Sequence, residues 1–182
     1  MAAAGIIASE GLEALTTRNL ARSMGYSIGV LSHYFTSKDQ IVIAAMNWAD
    51  RNIEQRFLQL LTEHPRHIAD YEPFILSAFP LDEQSDLEWR VRLNLAAYSL
   101  THPVLMDSQN AARQARFAAV VEMITALQAS GQVRRDIAPE LLVQNAVDFV
   151  TGISFNLLAV PLAERRARLE FVRDYLAALQ GN

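Results

Sequence analysis

The chain contains no cysteine in 182 residues, which excludes disulfides and thiolate metal sites and suits a reducing compartment. Histidine is scarce, with four residues, and there is no Gly-rich phosphate loop and no His-Glu-x-x-His. Nucleophilic and metal-assisted catalysis therefore have little to work with, and no catalytic residue, metal site or cofactor is expected. Glu63-His64-Pro65-Arg66-His67 gathers two histidines and a carboxylate, but Pro65 breaks the helix that would align them. A basic excess is also missing. The net charge is −4, and residues 1 to 40 are neutral, Arg18, Arg22 and Lys38 balancing Glu10, Glu13 and Asp39, so the usual electrostatic footprint of a nucleic-acid binder is absent there. Lysine is nearly missing too: Lys38 stands alone beside fifteen arginines. There is no strand-like alternation, no repeat and no low-complexity segment. The apolar stretch Met1 to Ala8 has no basic segment before it and is closely followed by Glu10, which argues against an export signal and for a cytoplasmic protein.

What is present is helix. With 51% hydrophobic residues the chain can bury one good core with a small satellite. The richest stretch is Thr16 to Gln40. Thr16 can cap a helix whose inward face is Leu20, Ala21 and Met24; Gly25 stands where a left-handed residue ends it, and Ser27 caps a short helix from Ile28 to Phe35 with Leu31 and Phe35 inward. Ala21, four before Gly25, is small enough for a steep crossing. The spacing is that of a helix-turn-helix. Its second helix shows Ile28, Gly29, Val30, Ser32, His33 and Tyr34 outward, without the Arg or Asn that give bidentate base contacts. Small apolar groups there fit thymine methyls, and Ser32, His33 and Tyr34 can donate to phosphates. Ser37 and Gln40 form a capping box for a third helix, and Lys38 in its first turn adds positive charge to the free amides of that helix start.

These residues resemble a known family. Gly11-Leu12, Thr16-Thr17-Arg18, Leu20-Ala21, Gly25, Ser27, Gly29, Leu31, His33-Tyr34-Phe35 and Ser37-Lys38 are similar to the DNA-binding region of the Tet-repressor (TetR) family, over roughly residues 2 to 48. The resemblance implies three N-terminal helices that bind operator DNA within a homodimer, and a divergent C-terminal helical domain that binds a small-molecule effector. Carried over by position, Thr17, Tyr34 and Lys38 match residues that grip the DNA backbone, and Arg18, Ser27, Ile28, Gly29 and His33 fall at or beside the groove, with Val30 and Ser32 between them. Ser32 departs from the family's usual Tyr. Family members also usually begin with several further residues, often basic, and a missing basic arm would cost phosphate contacts and counterion release.

The expected fold class is all-α: a helix-turn-helix DNA-binding domain over 1–46 and a ligand-binding and dimerisation domain over 47–182. A long helix from Ser37 to about Glu63, carrying Ile41, Ala45, Trp48, Ile53, Phe57, Leu60 and Leu61, would join them. Further helices are expected near Ile68 to Ala78, Glu83 to Leu100, Pro103 to Ala129, Pro139 to Val160 and Glu164 to Gln180. The Pro139 helix is apolar nearly all round and needs cover on two sides. Gln144, Asn145, Asp148 and Asn156 argue against a bilayer, so a second subunit is the better cover. Phe149, Ile153 and Leu157, with Leu169, Val172 and Leu176 of the last helix, are the candidate dimer interface, the alternative being burial within one protomer. Trp89, Arg92, Tyr98, Phe117, Asp148 and Phe149 are the candidate ligand residues, Asp148 pairing with an arginine such as Arg92 or with a cationic ligand. The function so implied is a ligand-responsive, homodimeric transcriptional regulator, by family habit a repressor, on double-stranded palindromic operator DNA. The alternative is a helical dimer that binds a small molecule or protein without useful DNA affinity.

Overall fold

A computed structural model of the chain describes residues 2–63 and 67–181, with the side chains at 53, 54, 57, 58, 60–63 and 103–112 outside the description. The histidine-rich segment at 63–67 lies mostly outside it. Ten α-helices are described: α1 (Ala2–Glu10), α2 (Thr17–Met24), α3 (Ile28–Tyr34), α4 (Lys38–Glu63), α5 (Glu72–Ser77), α6 (Glu83–Ser99), α7 (Pro103–Ala129), α8 (Pro139–Leu157), α9 (Leu162–Arg165) and α10 (Val172–Leu179). Among the described residues there is no strand, only an isolated bridge between Val133 and Gln180.

Two apolar clusters organise the helices. In the first, Ile6, Ile7, Leu20, Ala21 and Leu31 of α1 to α3 close on Ile41, Val42, Ala45 and Met46 of α4 and on Val91 and Leu95 of α6. In the second, Phe79 and Leu127 meet Leu142 and Leu157 of α8 and Leu169, Val172 and Leu176 at the chain's end. The helices α4 and α6 are tied together between the two clusters by Glu88. Its carboxylate is only 1% exposed, yet it accepts hydrogen bonds from Asn52 Nδ2 at 2.8 Å, an Arg56 guanidinium nitrogen at 2.6 Å and Gln84 Nε2 at 3.0 Å. A buried charge so satisfied stays in place, and removing one partner typically costs about 3–5 kcal/mol.

Two expected helices are divided. The segment from Ile68 begins as a 3-10 turn over Ile68–Tyr71 and becomes α5 only at Glu72, where Pro73 occupies an early position that needs no backbone donor. The final helix is interrupted by a 3-10 turn over Arg166–Leu169. Backbone angles at Glu170 (φ −57°, ψ −31°) and Phe171 (φ −67°, ψ −9°) stay right-handed, so the path tightens without reversing. Arg165 at this point turns inward instead of facing solvent: it is 3% exposed and donates to the Val160 carbonyl at 2.9 Å, the Pro80 carbonyl at 2.7 Å and Asp86 at 2.7 Å.

The helix α8 is two-sided, as its composition requires, but the sides are not those expected. Leu157, Leu169, Val172 and Leu176 are buried in the protomer's own core, and Phe149 and Ile153 are half-buried against it, so this set is already covered without a second chain. Phe149 stacks on Tyr175 with centroids 4.5 Å apart and meets Phe171 edge-on at 5.6 Å. The uncovered apolar groups are Leu141, Val147 and Phe155 of α8, with Phe171 before α10. The reason is angular: at about 100° of rotation per residue, Phe155 lies about 140° from Leu142 and about 160° from Leu157, and Val147 about 140° from Leu142, so both project away from the buried side.

Candidate nucleic-acid interface

The turn between α2 and α3 is built by local hydrogen bonds. Thr16 Oγ1 accepts from the Asn19 backbone N–H at 3.1 Å and starts α2. At its far end Gly25 adopts φ +70°, its N–H donating to the Arg22 carbonyl at 3.2 Å while that of Tyr26 reaches the Ala21 carbonyl at 2.9 Å. This is the paired reverse hydrogen bonding of a left-handed helix stop, which glycine enters at least cost. Ser27 Oγ then accepts from the Val30 N–H at 3.4 Å and starts α3, whose only buried side chain is Leu31. Gln40 N–H donates to Ser37 Oγ at 3.3 Å, but the Gln40 side chain accepts from Thr36 rather than from Ser37, so the expected capping box closes one residue early.

The outward face matches most of the sequence expectations and extends them. Arg18, Ser27, Ile28, Gly29, Val30, Ser32, His33 and Tyr34 are exposed; Thr17 and Lys38 are half-buried. Tyr34 is 71% exposed and touches His33 edge-on at 5.6 Å, so neither ring packs as core. Ser32 is less available than its type suggests. Its hydroxyl donates to the Ile28 carbonyl at 3.0 Å, leaving acceptor lone pairs that a phosphate cannot use. The Ser27 hydroxyl, which accepts in the cap, keeps its hydrogen free. Met24, expected inward, is 42% exposed because the left-handed stop lets α2 end before its side chain reaches the core. Tyr26 is exposed as well, and the sequence reading passed over it; its position directly after Gly25, in the turn, was the available signal. Lys38 Nζ lies 3.9 Å from a Glu13 carboxylate oxygen, a solvent-screened contact that opposes part of its charge.

The six candidate ligand residues do not converge. Trp89 is buried and its indole N–H donates to the Ala78 carbonyl at 2.8 Å. The Arg92 guanidinium carbon lies 4.3 Å from the Trp89 ring centre, and this pair does stand together. Tyr98 stacks on His102 at 3.8 Å and packs on the first cluster, near the junction of α6 with the N-terminal helices. Phe117 is half-buried on α7. Phe149 belongs to the aromatic group with Tyr175. Asp148 points outward and accepts from Gln144 Nε2 at 2.9 Å, four residues back on its own helix, so its expected pairing with Arg92 is not made.

A small all-helical protein with an exposed, tightly capped helix-turn-helix on one long connecting helix defines the class of helix-turn-helix DNA-binding regulators. Residues 1–45 match the model for bacterial regulatory proteins of the tetR family, and residues 67–181 match that for the C-terminal region of BetI-type transcriptional repressors. The chain belongs to the TetR family of transcriptional regulators. Over 167 residues it is 21% identical to the HTH-type transcriptional regulator PksA of Bacillus subtilis (strain 168), covering 92% of this chain and 80% of that protein. The fold is shared with a TetR-family regulator from Rhodococcus sp., at TM-score 0.78 and 19% identity, covering 99% of this chain and 95% of the other. It is shared also with a transcriptional regulator from Saccharomonospora viridis solved in complex with choline, at TM-score 0.77 and 20% identity, covering 97% and 90%. Among the described residues no helix is long and apolar enough to cross a membrane.

Proposed function

We propose that this regulator is a cytoplasmic, ligand-responsive repressor that binds a palindromic operator as a homodimer, with α3 of each subunit in a major groove. The division into a DNA-binding domain over 1–46 and an effector and dimerisation domain over 47–182 is part of that reading. The supporting observation is where apolar surface is left uncovered. Of the ten large exposed hydrophobic residues among those described, Met24, Tyr26, Ile28, Val30 and Tyr34 form one group on the reading head and Leu141, Val147, Phe155 and Phe171 a second on α8 and before α10. Uncovered apolar patches mark partner surfaces. The first group suits thymine methyls and sugar faces, with Arg18, the Ser27 hydroxyl, Tyr34 and Lys38 to hold phosphates. The second suits a twofold copy of itself, which replaces the buried set expected from sequence.

Binding of an effector between the C-terminal helices would shift α4 and change the separation of the two reading heads. Half-sites one turn apart, about 34 Å, are then gripped in one state and missed in the other, for a coupling of about 1–3 kcal/mol. The test is fluorescence anisotropy of the chain, and of a Lys38→Ala, Tyr34→Phe variant, on its own upstream intergenic DNA at two salt concentrations. Steeply salt-sensitive binding that the variant loses is the expected result. The neutral reading head and the Lys38–Glu13 contact favour a second reading, a helical dimer without useful DNA affinity. Absence of binding at low salt would select it.

A further inference from the structure

Four arginines meet where α4, α6 and α7 pack together. Arg56 of α4 is paired with Glu88 at 2.6 Å, and Arg116 of α7 with Asp50 of α4 at 3.4 Å. Arg92 follows Glu88 by one turn on α6, and Arg113 precedes Arg116 by nearly one turn on α7. Among the described residues neither Arg92 nor Arg113 makes an ion pair or a hydrogen bond to a side chain. Arg92 is the enclosed one, its guanidinium carbon 4.3 Å from the centre of the Trp89 ring, a cation–π contact that uses none of its N–H donors. Withdrawal from water and the nearby charges of Arg116, Arg113 and Arg56 outweigh Asp50 and bring the guanidinium down to about 10, so it remains charged near neutrality while being poorly compensated. Among the described residues, four guanidinium groups thus share the carboxylates of Glu88 and Asp50, and Arg92 has no carboxylate paired to it there.

We propose that the effector is an organic oxyanion, a carboxylate or a phosphate ester, whose charged group is taken by Arg92 with Arg113 and Arg116 between α6 and α7. This rests on the ligand-responsive reading above and names the chemistry of that site. An oxyanion accepts two parallel N–H bonds from one guanidinium and relieves the repulsion among the others. A quaternary ammonium ion, the ligand class of the choline complex from Saccharomonospora viridis, would meet like charge here. The Trp89 ring beside Arg92 gives the remainder of such a molecule an apolar boundary.

The experiment is thermal unfolding of the full-length chain with inorganic phosphate, octanoate or choline at millimolar concentration and matched ionic strength, beside Arg92→Gln, Arg92→Lys and Arg113→Gln. The expected result is that one oxyanion raises the midpoint by several degrees, that Arg92→Gln removes the shift, and that Arg92→Lys and the exposed Arg113→Gln weaken binding at least tenfold. Comparison with the variants subtracts the general stabilisation that phosphate gives by exclusion from protein surfaces. A phosphate response points to a phosphate ester and an octanoate response to a carboxylate. Stabilisation by choline alone, no shift with either oxyanion, or a shift that survives both Arg92→Gln and Arg113→Gln would overturn the proposal. Operator binding measured in parallel separates the two readings: an Arg92-dependent anion that leaves DNA affinity unchanged refutes the ligand-responsive function and keeps the anion site, whereas release by choline does the reverse.

Discussion

Two glycines that local packing does not distinguish, Gly25 and Gly29, are expected to respond oppositely to the same added methyl. At both Gly25 and Gly29 a Cβ finds open space or ordinary contact: nothing within 4 Å at Gly25, and only Ser27 Oγ at 3.9 Å at Gly29. Packing therefore does not decide either outcome, and the backbone does. Gly25 sits at φ +70°, where an L-residue loses about 1–2 kcal/mol, so Gly25→Ala should lower the midpoint of a chain this size by about 2–8 °C. Gly29 lies inside α3, where Ala is favoured by about 0.5–1 kcal/mol, so Gly29→Ala should raise the midpoint by about 1–4 °C. The same methyl projects from the exposed face of α3, where it would hold the helix away from base edges. A tenfold loss in operator affinity, about 1.4 kcal/mol, is the least expected if the backbone approaches the groove closely. Differential scanning calorimetry and operator anisotropy on the same preparations read both quantities. A Gly29→Ala variant that is more stable and binds DNA like the parent refutes the close approach of α3; one that is less stable refutes the helical account of the position.

Asp86 gives a pH dependence of known sign. Burial alone would raise its carboxyl, but hydrogen bonds from Arg90 and Arg165, and their charges, outweigh burial and hold it below the usual carboxylate range. A depressed folded pKa contributes stability above the unfolded value, and that contribution is lost as pH falls from about 4 through the folded pKa; Asp86→Asn should flatten the stability profile there in urea titrations. Arg165→Met, which leaves the Pro80 and Val160 carbonyls without this donor and Asp86 with Arg90 alone, should cost about 1–3 kcal/mol by denaturant midpoint. Phe155→Glu, at a side chain 65% exposed in the protomer, should convert the dimer to monomer by light scattering with an unchanged far-ultraviolet spectrum, and a dimer that persists would move the interface off α8. Glu13→Gln should tighten operator binding a few-fold at low salt by freeing Lys38; unchanged affinity would mean that Lys38 does not face phosphate.

The parts legible in sequence were those written in local chemistry. Thr16, Gly25, Ser27 and Ser37 announced helix ends by capping and left-handed backbone, and each end lies within a residue of its expected place. Periodicity identified α8 as a helix needing two covers. It did not say which cover was the protomer's own, because Leu157 and Phe155 are equally apolar and only the packing of α5, α7 and α10 distinguishes them. The burial of Arg165 is illegible for the same reason: its partners Asp86 and Pro80 are about eighty residues away, and no local pattern encodes that meeting. Asp148 erred in the other direction. An acid within an apolar run suggested a distant cation, whereas Gln144, one turn back, already supplied a donor on an exposed face.

The cation cluster and the reading head are linked through α4, which carries Lys38 at one end and Asp50 and Arg56 further along. Asp50 holds α7 through Arg116, and Arg56 holds α6 through Glu88. On the proposed reading, an oxyanion that engaged Arg92 and Arg116 would compete with Asp50 for the same guanidinium, drawing α7 toward α6 and slackening the hold of α7 on α4. The Glu88 contacts resist this, because three donors converge on one buried carboxylate and none is available to the ligand. The motion expected from such binding is a tilt of α4 about its contact with α6 at Glu88 rather than a separation of the two. The contact at Asn52 and Arg56 lies about 21–27 Å along α4 from Lys38, so a rotation of about 5° about it would displace the start of the helix by about 2 Å. That displacement would fall on Lys38 and on the three helices packed against Ile41 and Val42, and it exceeds the roughly 0.5 Å range of a phosphate hydrogen bond.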